Sequence, residues 1–90
     1  MPKLAPAKPE EIVRVLEKLG FEKIRQSGSH VVFHHSDGRW TTVPLHKGKD
    51  VAKGTLSKIL KDIGLSYEEF KRLKWVYRFL VNLSLFLTGG

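Results

Sequence analysis

Two stretches of strand-forming residues separated by a tight-turn signal constrain the fold more than any other feature of this sequence. Residues 30–35 and 40–43 are rich in valine, phenylalanine, threonine and tryptophan, which favour strands. Asp37-Gly38 lies between them and is a dipeptide typical of hairpin turns. Pro44 follows the second stretch and ends it, because proline cannot donate a ladder hydrogen bond. The sequence therefore predicts an antiparallel hairpin at this point.

Helical patterns flank the hairpin on both sides. Apolar residues recur every three or four positions after Pro9 and before Gly64, so we expect one helix to end at Gly20 and another at Gly64. The second of these helices should begin between residues 50 and 55. The apolar positions are Ile12, Val15, Leu16 and Leu19 in the first helix and Leu56, Ile59, Leu60 and Ile63 in the second. Ser66 and Glu69 form a capping box, which predicts a third helix from Tyr67.

These elements predict an α+β fold of order α-β-β-β-α. Phe21–Gln26 alternates apolar and polar residues and is read as a further, half-buried strand. It completes a three-stranded antiparallel sheet, with both helices on one face and water on the other. The predicted domain organisation is a flexible segment at residues 1–8, a folded domain at 9–72 and an apolar C-terminal helical extension at 73–90.

Alternation along the strand at residues 30–35 predicts which side chains are accessible. Val31 and Phe33 should face the helices, whereas the residues that alternate with them should face water. The residues expected on the open face are His30, Val32 and His34, joined by Lys23, Arg25 and Thr42 if Ile24 and Val43 point inward. The result is an exposed face of cations and histidines on which an RNA strand could lie.

The charge balance points to polyanionic partners. Sixteen Lys and Arg against nine Asp and Glu give a formal net charge of +7 on 90 residues, a field that favours phosphate backbones. There are no cysteines, which excludes disulfides, thiolate zinc sites and a cysteine nucleophile. Prolines and lysines at residues 1–8 leave no apolar run for an export signal, so we expect a cytoplasmic protein.

The apolar segment at residues 73–87 does not have the pattern of a membrane-spanning helix. It is short, and Arg78 interrupts it. Left exposed, so much apolar surface would aggregate. Three roles remain open for it: packing on the domain, joining two protomers into a homo-oligomer, or binding a protein partner.

Histidines and lysines supply the candidate chemistry. Metal-free cleavage of RNA needs a base for the 2′-hydroxyl, an acid for the departing oxygen and cations for the phosphate. His30 is the candidate acid or base, and His46 could supply the other role. The candidate phosphate contacts are Arg25, Lys47, Lys49 and Lys53. A zinc site is disfavoured because residues 30 and 34 of one strand lie about 13 Å apart.

Several separated motifs resemble the HicA toxin family. They are Gly28-Ser29-His30, Asp37-Gly38-Arg39, Val43–Lys49 and Lys53–Leu56, in that order. The resemblance implies a fold like a double-stranded-RNA-binding domain and an mRNA-cleaving toxin without a cofactor. It implies that His30 is the essential residue, that Gly28 and Ser29 shape its turn, and that a HicB-type antitoxin covers the site.

Two other classes of function stay open from the residues alone. An RNA-binding module without cleavage would need the same fold and charge. A protein-interaction domain would use the C-terminal segment and leave the charge incidental.

Overall fold

The order of helices and strands is the predicted one. The computed structural model describes residues 4–76 of the chain. Its last described element is a third helix, α3, which covers residues 67–76. The other elements are α1 (Pro9–Lys18), β1 (Glu22–Ser27), β2 (His30–His34), β3 (Trp40–Pro44) and α2 (Lys53–Ile63).

The three strands form one antiparallel sheet with β2 in the centre. The predicted hairpin at Asp37-Gly38 is confirmed. His35 donates its backbone N–H to the carbonyl of Arg39 at 2.8 Å, and Gly38 donates to the carbonyl of His35 at 2.9 Å. Gly38 has φ 99°, a conformation in which a side chain would be strained. The turn sets the register in which His34 lies opposite Trp40.

Local signals define the helix ends as expected. Pro9 is the first residue of α1, and Gly64 ends α2 in the left-handed conformation with φ 71°. Ser66 and Glu69 exchange the two hydrogen bonds of a capping box at the start of α3, at 3.1 and 3.2 Å. These signals work because they satisfy backbone groups that no helix can satisfy internally.

One face of the sheet is buried against the helices. Val31 and Phe33 of β2 are 0% and 2% exposed, whereas His30 and His34 are exposed. Val43 is fully buried beside Val31. The predicted alternation of β2 is therefore confirmed. The core that these residues share comprises Ala7, Ile12, Val15, Leu16, Phe21, Val31, Phe33, Val43, Val51, Leu56, Ile59, Leu60, Ile63 and Phe70.

The prediction of a half-buried first strand was wrong. All six residues of β1 are exposed, because β1 is an edge strand and the helices pack mainly over β3. The register shifts between Lys23 and Arg25, so Ile24 is the extra residue of a bulge. Ile24 is 60% exposed rather than directed inward. Lys23 pairs with the inward-facing Phe33, so its predicted place on the open face was also wrong.

The central strand ends one residue earlier than predicted, at His34. The ring of His35 packs edge-on against Phe21, with centroids 5.0 Å apart. Its Nδ1 accepts the backbone N–H of Asp37 at 3.0 Å, so the proton of a neutral ring is on Nε2, which donates to the carbonyl of Leu19 at 3.1 Å. His35 thus ties the hairpin turn to the end of α1.

Both ends of the described chain add to the domain. Ala7 is buried and exchanges two backbone hydrogen bonds with Val51, at 3.1 and 2.7 Å. At the other end, residues 73–76 continue α3. The remainder of the predicted extension, residues 77–90, lies outside the described residues. Within residues 4–76, no helix is long and apolar enough to cross a membrane.

Thr41 provides a test of the packing between β3 and α2. Its side chain is 0% exposed, and Oγ1 donates to Asp62 Oδ2 at 2.9 Å. Thr41→Val keeps the shape and removes the donor, so we expect a loss of about 1–2 kcal/mol in the free energy of unfolding, measured by urea denaturation. Thr42→Val is the matched control on the half-buried opposite face and should change stability by less than about 0.5 kcal/mol. Equal losses in both variants would contradict the assignment.

Asp37 predicts an acid-dependent contribution to stability. Hydrogen bonds from the side chain and the backbone N–H of Arg39 lower the pKa of Asp37 from 3.8 to about 2. Because the folded-state pKa is lowered, the contribution is present above the unfolded value and is lost as the pH falls through about 2. Asp37→Asn should therefore be less stable than wild type at about pH 6, with the difference disappearing near pH 2 in urea denaturation. A difference that stays constant over this range would contradict the prediction.

Candidate active site

His30 stands at the start of the central strand, immediately after a two-residue turn. Gly28 has φ 59°, as the first central position of a type II′ turn requires. A Cβ at Gly28 would meet nothing within 4 Å, so glycine is favoured here by backbone conformation and not by space. His30 pairs with Ser27 on one side and Pro44 on the other. Its backbone is therefore fixed by both neighbouring strands.

His46 is brought to His30 by the chain that leaves β3. The backbone N–H of Leu45 donates to the carbonyl of Ser29 at 2.6 Å, which extends the pairing past Pro44. The centroids of the two imidazole rings lie 6.3 Å apart, with an interplanar angle of 82°. Both histidines are exposed. Two imidazole side chains thus lie next to each other on an open surface.

A groove of about 460 Å³ runs from the two histidines to the start of α2. Two lysines and one carboxylate lie along it. Lys58, one of these lysines, also forms an ion pair with Asp62 at 3.2 Å, so part of its charge is already compensated. The residues that line the groove are His30, Thr42, Pro44, His46, Lys49, Asp50, Val51, Ala52, Thr55 and Lys58.

The structure brings together only some of the predicted site residues. His30, His46 and Lys49 share the groove, and Gly28 and Ser29 form the turn that precedes it. The remaining predicted cations lie elsewhere. Arg25 borders a second groove on the open face of the sheet, and Lys53 is exposed at the first residue of α2. Lys47 borders a third groove, which His46 also lines, on the side of α1.

Sequence reasoning missed Lys58, Thr55 and Asp50 as neighbours of the histidines. Lys58 and Thr55 lie on the surface of α2, and their approach to His30 depends on how that helix packs over β3. The sequence contained only a weak indication of this. Thr55 and Lys58 are three positions apart, each directly before a buried residue of α2 (Leu56 and Ile59), so they share one edge of the helix. The direction in which this polar edge faces is set by tertiary packing.

The arrangement favours proton transfer by the histidines. Among residues 4–76, no group of three or more His, Cys, Asp and Glu side chains is close enough to hold a metal ion. Two imidazoles beside lysines can take one proton, give another and attract a phosphate between them. They provide the minimum set of groups for cleavage of a phosphodiester that carries its own nucleophile.

Comparison with known proteins connects this site to a family. Residues 9–65, more than half of the chain, match a family described as the HicA toxin of bacterial toxin–antitoxin. The matched range contains the turn at Gly28, both histidines of the groove and α2. No curated protein matches the chain closely enough to count as a relative. The extent of the family match shows that this chain belongs to the HicA toxin family of bacterial toxin–antitoxin systems.

Proposed function

We propose that this protein is the toxin of a type II toxin–antitoxin system and that it acts as a cytoplasmic endoribonuclease. It cleaves mRNA and thereby stops translation. The observation that supports this proposal most directly is the exposed pair formed by His30 and His46, 6.3 Å apart between ring centroids in a groove lined by lysines. Membership of a toxin family supports a role for this pair in the toxic activity.

The proposed reaction uses the RNA's own 2′-hydroxyl as the nucleophile. One imidazole removes the proton of this hydroxyl, and the oxygen attacks the adjacent phosphorus. The bond from phosphorus to the 5′ oxygen of the next nucleotide breaks, and the second imidazole, in its protonated form, gives that oxygen a proton. His30 performs one of these two transfers and His46 the other. The products are a 2′,3′-cyclic phosphate and a 5′-hydroxyl.

Lysines of the groove supply the electrostatic part of catalysis. Negative charge accumulates on the phosphate oxygens as the 2′ oxygen attacks, and a nearby cation stabilises it. Lys49 is exposed beside the histidines, and Lys58 lies further along the groove. The net charge of +7 attracts RNA to the surface before any specific contact forms. DNA is excluded as a substrate because it lacks the 2′-hydroxyl.

A HicB-type antitoxin is the proposed inhibitor. The histidine groove is open to solvent, so a protein segment can cover it. Acidic residues of such a partner would complement the lysines and imidazoles of the groove. Covering the groove blocks RNA without any change in the fold of the toxin.

Replacement of His30 tests the catalytic assignment. His30→Gln retains a polar side chain but cannot exchange a proton at neutral pH, so cleavage of an RNA oligonucleotide should fall by about 10² to 10⁴-fold. Binding of the same RNA, measured by fluorescence anisotropy, should change little. Lys61→Ala is a control on the exposed surface of α2 and should cleave at the wild-type rate.

Added imidazole distinguishes proton transfer from a structural role of His30. In His30→Ala, free imidazole should restore part of the lost activity, because the removed ring leaves space beside His46. Normal cleavage by His30→Gln would refute the assignment. Binding without cleavage by the wild-type protein would instead favour an RNA-binding module of the same fold.

Cleavage should persist when divalent cations are removed. The two proton transfers and the lysine charges require no metal ion, so an excess of EDTA should leave the rate within about twofold of its original value. Gel analysis of a labelled oligonucleotide measures this directly, and the 2′,3′-cyclic product identifies the nucleophile. Loss of cleavage in EDTA, restored by zinc, would contradict the metal-free mechanism.

A further inference from the structure

We propose that Trp40 stacks on a base of the RNA strand whose phosphate is held at His30, and that Arg25 contacts the backbone of the same strand. This inference rests on the proposed ribonuclease function and deepens it by assigning a second binding position for the substrate. The occupant is the single-stranded RNA itself.

Trp40 and Trp75 are the exposed tryptophans of the protein, and Trp40 is the one that lies on the sheet. Its side chain is 59% exposed, whereas Phe21, Phe33 and Phe70 are 1–2% exposed. A single exposed apolar residue is ordinary. Trp40, however, does not stand alone, because the residues around it form an open groove.

The groove beside Trp40 is built from all three strands. Ile24 and Arg25 come from β1, Val32 and His34 from β2, and together with Trp40 they enclose about 360 Å³. Alternation from Lys23, which is level with inward-facing Phe33, directs Ile24 to this groove, and the bulge lets the next residue, Arg25, lie on the same face, level with Val32. Bulges often re-aim side chains beside functional sites. The result is an apolar floor next to an indole ring.

Charge around this groove fits a polyanion that arrives from His30. Arg25 pairs with Val32, at the level between His30 and Trp40. Glu22 is level with His34, at the end of the sheet that also carries Trp40. One cation, Arg25, therefore lies between His30 and Trp40, and the Glu22 carboxylate lies at the far end of the sheet. A phosphate backbone would be attracted over the first part of the path from His30 and not beyond it.

The two grooves belong to one continuous face. His30, Val32 and His34 alternate along β2, opposite Pro44, Thr42 and Trp40 of β3. Thr42 lines the histidine groove, and its partner Val32 lines the Trp40 groove. His30 and His34 are four residue steps apart along the strand, which is about 13 Å. A short oligonucleotide bound at His30 can therefore reach Trp40.

The size of the patch favours a nucleotide base over a protein partner. Its apolar part consists of Trp40, Ile24 and Val32, bordered by Arg25 and His34. Stable protein interfaces bury about 800 Å² on each partner, far more than three side chains provide. Aromatic and cationic side chains on an open sheet are, in contrast, what single-stranded RNA binds by stacking and phosphate contact.

Substrates of two lengths test the proposal. Trp40→Ala should lower kcat/KM for a hexanucleotide about tenfold, because one base loses its stacking partner. Cleavage of a dinucleotide, which occupies only the histidine groove, should be unchanged. Trp40→Phe retains an aromatic face and should recover most of the hexanucleotide activity. An equal loss on both substrates, or none on the hexanucleotide, would overturn the proposal.

Tryptophan fluorescence separates failure of this proposal from failure of the ribonuclease assignment. The chain has two tryptophans, so Trp75→Phe leaves Trp40 as the only one. An uncleavable 2′-O-methyl hexanucleotide should quench its emission, and Arg25→Ala should weaken the binding. Quenching by this RNA would support stacking even if the wild-type protein cleaved nothing. Cleavage without quenching would refute stacking but not the ribonuclease assignment. Stacking would also be refuted if Trp40→Ala bound RNA with unchanged affinity and bound the antitoxin more weakly.

Discussion

Burial of Val31 and Phe33 against the helices is the constraint on which the rest of the structure depends. Each of these side chains contributes about 1.5–3 kcal/mol by leaving water, and both are almost completely buried. Since alternate residues of a strand face opposite ways, the same burial turns His30 and His34 outward. A slip of one residue would expose the apolar pair and bury two histidines. The accessible histidine of the proposed site is thus a consequence of core packing.

The parts of the fold that could be predicted from the sequence are those set by neighbouring residues. Asp37-Gly38 specifies its turn through local conformation, and Gly64 and the capping box at Ser66 set helix ends through local hydrogen bonds. The alternation of buried and exposed side chains in β2 could also be predicted, because this strand is central and the helices cover one of its faces. In β1 the same reasoning failed. An edge strand that the helices leave uncovered has no reason to alternate, and the bulge at Ile24 depends on pairing with β2.

Only part of the candidate site could be predicted from the sequence. His30 and His46 were identified from residue type and motif, and the structure brings them together because Leu45 bonds to Ser29. Arg25 and Lys47 were predicted as phosphate contacts, and neither lines the groove shared by the two histidines, although Lys47 borders a neighbouring groove that His46 also lines. Lys58 was missed because its position relative to His30 depends on the packing of α2 over β3. Charge along a sequence indicates a class of partner, whereas the location of each contact needs the fold.

The hydrogen bond from the Leu45 N–H to the Ser29 carbonyl, at 2.6 Å, joins the two loops that carry the histidines. The first loop is made early in the chain, and the second follows only after β3. A nascent polypeptide that has emerged only as far as β2 therefore holds His30 without its partner. Under the proposed mechanism, such a toxin is inactive while it is being synthesised. A protease that cuts between the two loops and releases β3 would also inactivate it. Under the same mechanism, the histidine pair is complete only when β3 and the Leu45–Ser29 hydrogen bond are in place.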